Sequence, residues 1–124
     1  MTVSEAITRT DSFLPNQYTN EEKTRWLDQL DRSIKAQIID THQGAGAISF
    51  SGYEFFSGHM TELLAPPPFD EMYLRWLEAQ IHYHNDEYDE YNASIAMYNT
   101  IYNNYANYYK RTHLPISQGC RFVF

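Results

Sequence analysis

Two histidines, His82 and His84, stand among the acids Glu78, Asp86, Glu87, Asp89 and Glu90. A zinc-binding helix presents two histidines four residues apart on one face. Here they are two apart, which on a helix turns them roughly 160–200° away from one another. Glu78/His82 and His82/Asp86 have the four-residue step, but either pair supplies only two ligands. No Glu-x-x-His pair of the di-iron type occurs. The run Asp86, Glu87, Asp89, Glu90 reads as a solvated helix face rather than as paired catalytic acids. Ser57 and His59 lack a nucleophile elbow around them, and Gly44-x-Gly46 lacks the Lys-Ser/Thr of a phosphate loop. The single cysteine, Cys120, has no nucleophile signature beside it and excludes an internal disulfide and a cysteine-based zinc site. These spacings predict no enzyme activity, no cofactor and no metal.

The tyrosines are the anomaly. Eleven occur, and eight of them fall between Tyr83 and Tyr109, interleaved with Asn85, Asn92, Asn99, Asn103, Asn104 and Asn107. Stacking on single-stranded bases would need a positive groove, and this stretch holds no Lys or Arg. Two readings remain open together. The tyrosines form an aromatic helical core with hydroxyls at its edges, or a subunit interface, where tyrosine gives large contact area at low entropy cost.

A chain of 124 residues is one domain by size. Nine Lys+Arg against sixteen Asp+Glu give a formal charge of −7, which argues against a mainly electrostatic binder of nucleic acid or anionic membrane. The charge is uneven: from Glu54 to Glu90 the only base is Arg75. No apolar run reaches the ~18 residues of a membrane span, and the first residues lack signal-peptide character, so a cytosolic origin is expected.

The elements follow from periodicity and caps. Thr2/Glu5 and Thr19/Glu22 have capping-box spacing. They predict helices over about 3–13 and 20–41, the second carrying Trp26, Leu27, Leu30, Ile34, Ile38 and Ile39 on its apolar stripe. Lys23, Arg25, Asp28, Asp31, Arg32 and Lys35 are expected on its wet side. Gly44-Ala45-Gly46 ends it, and a long loop or short β-hairpin follows, with Ile48, Phe50 and Phe55 alternating with small or polar residues. From Phe69 to Thr112 there is neither Gly nor Pro. One straight helix of that length would measure roughly 65 Å, too long for a domain ~35 Å across. Two helices are expected, about 69–85 and 87–111, since Asn85-Asp86 and Asn92 are the weakest helical points. The fold class is therefore all-α: a bundle of about four helices over 1–112 with a loop at 43–65. Residues 113–124 form an extended C-terminal arm of a kind suited to adding a strand to a partner.

Several segments carry a resemblance. They are Pro15-Asn16-Gln17-Tyr18-Thr19-Asn20-Glu21-Glu22-Lys23 with Trp26-Leu27 and Leu30-Asp31, then Thr61-Glu62-Leu63-Leu64 and Pro67 before Phe69. Glu71-Met72-Tyr73-Leu74, Leu77-Glu78-Ala79-Gln80-Ile81, Ala96-Met97-Tyr98-Asn99 and Arg111-Thr112-His113-Leu114-Pro115 continue it. Over about residues 3–116 the chain resembles the head–tail connector (adaptor) proteins of long-tailed bacteriophages and prophages. The resemblance implies a non-enzymatic virion protein of the neck, present in host cytoplasm during assembly. It implies a homo-oligomeric ring, typically of twelve copies, beneath the portal protein. Such a ring extends the channel through which double-stranded DNA passes without specific binding, and offers a platform for a stopper or tail-completion protein. No membrane is involved.

Within that frame Phe50, Tyr53, Phe55, Phe56, Leu114, Pro115, Ile116, Arg121, Phe122, Val123 and Phe124 are expected at the portal or partner interface. Tyr98, Tyr102, Tyr105 and Tyr109 are expected between subunits. Glu54, Glu62, Asp86, Glu87, Asp89 and Glu90 are expected to face the channel, where an acidic lining leaves the duplex mobile. The alternative is a small acidic phage-encoded regulator or inhibitor that binds a host protein.

Overall fold

Two threonines start the first two helices. The computed structural model describes residues 1–48, 50–53 and 61–115. Helix α1 spans Val3–Phe13. The Thr2 hydroxyl accepts the Glu5 backbone N–H at 3.1 Å, and the Glu5 carboxylate accepts the Thr2 N–H at 3.0 Å. Helix α2, Asn20–Ile34, has the same reciprocal pair between Thr19 and Glu22. Each box satisfies two N–H groups that a helix start otherwise leaves unpaired. Thr19→Ala and Thr2→Ala are each expected to lower the unfolding free energy by about 1 kcal/mol, read from urea denaturation.

Helix α2 continues through a π-helical turn, Lys35–Ile39, which buries both Ile38 and Ile39. A short 3-10 turn at Ala45–Ala47 follows, after Gly44 at φ +92°. Helix α3 is Glu71–His84 and α4 is Tyr88–Thr112. The break falls where the weak helical residues stand. Asn85 ends the backbone ladder, Asp86 takes φ +62°, and the Glu87 N–H turns back to the His82 carbonyl at 2.9 Å. The short polar side chain of Asp tolerates this left-handed conformation better than most residues do. Asn85 is also tied down from outside: its side-chain oxygen accepts the Tyr18 hydroxyl at 2.6 Å and the Gln17 amide at 3.1 Å.

Among the described residues the result is an all-α bundle of four helices. Helix α3 packs against each of the other three helices. It buries Met72, Tyr73, Leu74, Leu77, Ala79 and Ile81, so it is the centre of the core. Trp26, Leu27, Leu30 and Ile34 of α2 and Val3, Ala6 and Ile7 of α1 close one side. Tyr98, Tyr105 and Tyr109 of α4 close the other. The long loop gives no strand among the described residues; one isolated bridge joins its Glu62 to Thr2, and another, outside the loop, joins His42 to Pro115.

Two expectations for α2 are corrected. Lys23 and Asp31, assigned above to the wet side, are buried. Both lie at three- or four-residue steps from Leu27 and so extend its apolar stripe. Asp11 and Asn16 receive the Lys23 ammonium at 2.7 and 3.2 Å. Asp31 accepts the Tyr53 hydroxyl, the Tyr73 hydroxyl at 2.6 Å and the Leu64 N–H at 3.1 Å.

Candidate functional site

The α3–α4 hairpin has two unlike faces. On its inner face Tyr98 meets Trp76 at 5.2 Å between ring centroids, and Tyr105 meets Phe69 at 5.4 Å. Burial pushes the Tyr98 and Tyr105 hydroxyls well above the ordinary phenol range, so both stay neutral donors. Tyr102 is half-buried and donates to the Gln37 side chain at 2.8 Å. Tyr109 lies between the His42 edge at 5.3 Å and the stacked His113 ring at 3.9 Å. Burial corrects the expectation that Tyr98, Tyr105 and Tyr109 meet a neighbouring subunit, whereas Tyr102 keeps part of its surface open. Three of the four are 9% exposed or less, and they complete this chain's own core. Of the two readings of the tyrosine stripe, the aromatic core holds for these residues.

The outer face of α4 is the unusual surface. From Tyr91 to Tyr109 no residue carries a charge. Asn92, Ala93, Ala96, Met97, Asn99, Thr100, Asn103, Asn104, Asn107 and Tyr108 are all exposed along it, with Met97 at 48%. A solvent-facing helix normally carries charges on that side. The charges of α4 sit only at its ends: Asp89 and Glu90 in the first turn, Lys110 and Arg111 in the last. Asp86 and Glu87 extend the acidic end into the turn. There the His82 ring lies 2.8 Å from the Glu87 carboxylate, and that hydrogen bond holds the carboxyl below its ordinary range. Asp86 accepts the Tyr88 hydroxyl at 3.0 Å.

The acids expected to face a channel do not form one patch. Glu62 meets the N-terminal amine at 3.0 Å, and Asp70, the cap residue of α3, lies 3.6 Å from the same amine. Asp86, Glu87, Asp89 and Glu90 follow the other end of α3, ~20 Å away by helix rise. Glu54 lies outside the described residues.

The expected partner-facing residues divide as well. Tyr53 donates its hydroxyl to Asp31 and its N–H to Asp28 at 2.8 Å, and Phe50 packs edge-on against it at 5.0 Å under the Arg32 guanidinium. Gly52, at φ +108°, allows this close approach, since a Cβ there would lie 2.4 Å from Arg32. Leu114 and Pro115 are held elsewhere, by the Gln43 N–H at 2.7 Å and the bridge to His42. Leu114 keeps 67% of its surface exposed. Phe55, Phe56, Ile116, Arg121, Phe122, Val123 and Phe124 lie outside the described residues, as does Cys120.

No group of three or more His, Cys, Asp or Glu among the described residues could hold a metal ion. No helix among them is long and apolar enough to cross a membrane. Two buried polar groups of α2 brace the fold: Asp31 ties loop to core, and Lys23 ties the α1–α2 connection. Sequence reasoning missed both because it treated every charged residue of α2 as solvated. In comparisons with known proteins, no family model, no curated protein and no solved structure matches this chain.

Proposed function

We propose that this protein is a structural assembly subunit, a head–tail connector that tiles into a ring beneath a portal. The ring extends the DNA channel and offers a docking platform to the next neck or tail protein. The observation that supports this reading is the uncharged outer face of α4, which a helix in contact only with water does not need. A ring requires one face of each copy to meet a different face of the next. The α4 face is one such surface, and the charged outer side of α2, with Glu21, Arg25 and Arg32 exposed, is a second of different character. The Asp86–Glu90 corner is the acidic surface such a channel would present to DNA. Leu114, with 67% of its surface exposed, is an apolar side chain open to such a partner.

The test is to mix the purified protein with portal and image the complexes. A ring stacked coaxially on the portal is expected. Absence of any ring, with no portal binding in a pull-down, overturns the reading in favour of the regulator that binds a host protein.

A further inference from the structure

Helix α4 ends with opposite charges and has between them an uncharged face that no other described residue covers. We infer that in solution two copies pair through this face, antiparallel, about a two-fold axis passing close to Thr100.

At the helical step of 100° per residue, Asp89, Ala93, Ala96, Thr100, Asn103, Asn107 and Arg111 fall on one strip. All seven are exposed. The strip lies opposite the buried Ser94, Tyr98, Tyr105 and Tyr109. Its middle is small, with Ala93, Ala96 and Thr100, so two helix axes can approach to the ~8 Å of close-packed pairs. Its amides, Asn103 and Asn107, can donate and accept across the contact.

Charge decides the orientation. Two parallel α4 helices would set acids on acids and bases on bases. Two antiparallel helices centred on Thr100 set Asp89 against Arg111 and Glu90 against Lys110, at both ends. The same register places Ala93 opposite Asn107 and Ala96 opposite Asn104, and Thr100 meets itself. Every residue so paired is exposed in the single chain. Antiparallel packing also opposes the two helix dipoles.

Such an isologous contact closes at two copies and cannot by itself propagate a ring. The dimer is therefore a resting form that covers the α4 face until a template opens it. The pairing stands without the connector reading, but this role rests on it.

Sedimentation velocity over the micromolar range tests the pairing on the full chain. A monomer–dimer equilibrium that weakens as salt is raised is expected. Asp89→Lys/Glu90→Lys makes both ends basic, and Lys110→Glu/Arg111→Glu makes both ends acidic. Each variant alone is expected to dimerise about tenfold or more weakly, and their equimolar mixture to recover a dimer. Circular dichroism of each variant must keep its helical signal, since these charges also complement the dipole of α4.

Orientation is read by oxidative cross-linking in a Cys120→Ser background. Thr100→Cys is expected to link to itself, and Ala93→Cys to link to Asn107→Cys but not to itself. Ala93→Cys linking to itself overturns the antiparallel register. A protein that stays monomeric throughout overturns the pairing, even if it forms a ring on portal. A dimer that never forms such a ring leaves the pairing standing and removes the connector reading instead.

Discussion

Replacing Asp31 by Ala is expected to lower the unfolding free energy by about 3–5 kcal/mol, because it strands three donors at once, one buried and two half-buried. Asp31 has no exposed surface. Its carboxylate accepts from Tyr53, Tyr73 and Leu64. The Tyr73 hydroxyl in turn accepts the Ala65 N–H at 2.8 Å, so the network runs from α2 through α3 to the residues before Pro66. Each buried donor left without an acceptor costs roughly 1–3 kcal/mol. Domains of this size are stable by only ~5–15 kcal/mol, so the variant should lose a large part of its urea midpoint.

Asp31→Asn keeps the shape and one acceptor oxygen, and should cost less than Ala. It also isolates a pH effect. Burial pushes the Asp31 carboxyl up from the ordinary value of 3.8, against the lowering influence of its Tyr53, Tyr73 and Leu64 hydrogen bonds. A raised pKa means that the folded chain holds this proton more tightly than the unfolded chain does. The stability linked to it is present in full below the unfolded value and is lost as pH rises through the folded one. Urea midpoints of wild type minus Asp31→Asn should therefore fall as pH rises from below 3.8. A difference that rises with pH instead would mean that the hydrogen bonds outweigh burial.

The second large effect is an asymmetry at Lys23. Its side chain is 3% exposed, whereas that of its partner Asp11 is 38% exposed. Asp11→Ala leaves a buried ammonium with, among the described residues, only the Asn16 oxygen at 3.2 Å. It also removes one acceptor of the Asn16 amide, at 2.9 Å, leaving it the Leu14 carbonyl at 3.0 Å. Breaking a fully buried pair costs 3–5 kcal/mol; with Asp11 partly in water, about 2–3 kcal/mol is expected. Lys23→Met removes the charge and keeps the volume, so it should change stability by about 1 kcal/mol or less. The double variant should then be more stable than Asp11→Ala alone. Urea denaturation of the three variants measures the difference; equal losses for the two single variants would contradict it.

These sites mark where the sequence was legible. The helices were, because caps and apolar spacing are local: Thr2 with Glu5, Thr19 with Glu22, and the weak Asn85-Asp86 between α3 and α4. Lys23 and Asp31 were not. What buries them is distant in sequence: Asp11 and Asn16 for one, Tyr53, Leu64 and Tyr73 for the other. Their place on the stripe with Leu27 was the available signal, overridden by the habit of placing charge in water. The tyrosines of α4 were legible as a stripe but not as to owner. Spacing says which residues share a face, and only packing against Phe69 and Trp76 says that this chain itself covers them.

Helix α4 is longer than its companion, and the two poles of the molecule are braced unequally as a result. At the Asp89 pole a three-residue link fastens α4 to α3. Past the start of α3 the remaining turns overhang like a beam, carried by Phe69, by Gln37 through Tyr102, and by His42 beneath Tyr109. A tug on Lys110 thus loads the π-helical turn and the end of α2, whereas a tug on Glu90 loads the hairpin. Strain arriving at the two poles is carried into separate parts of the core.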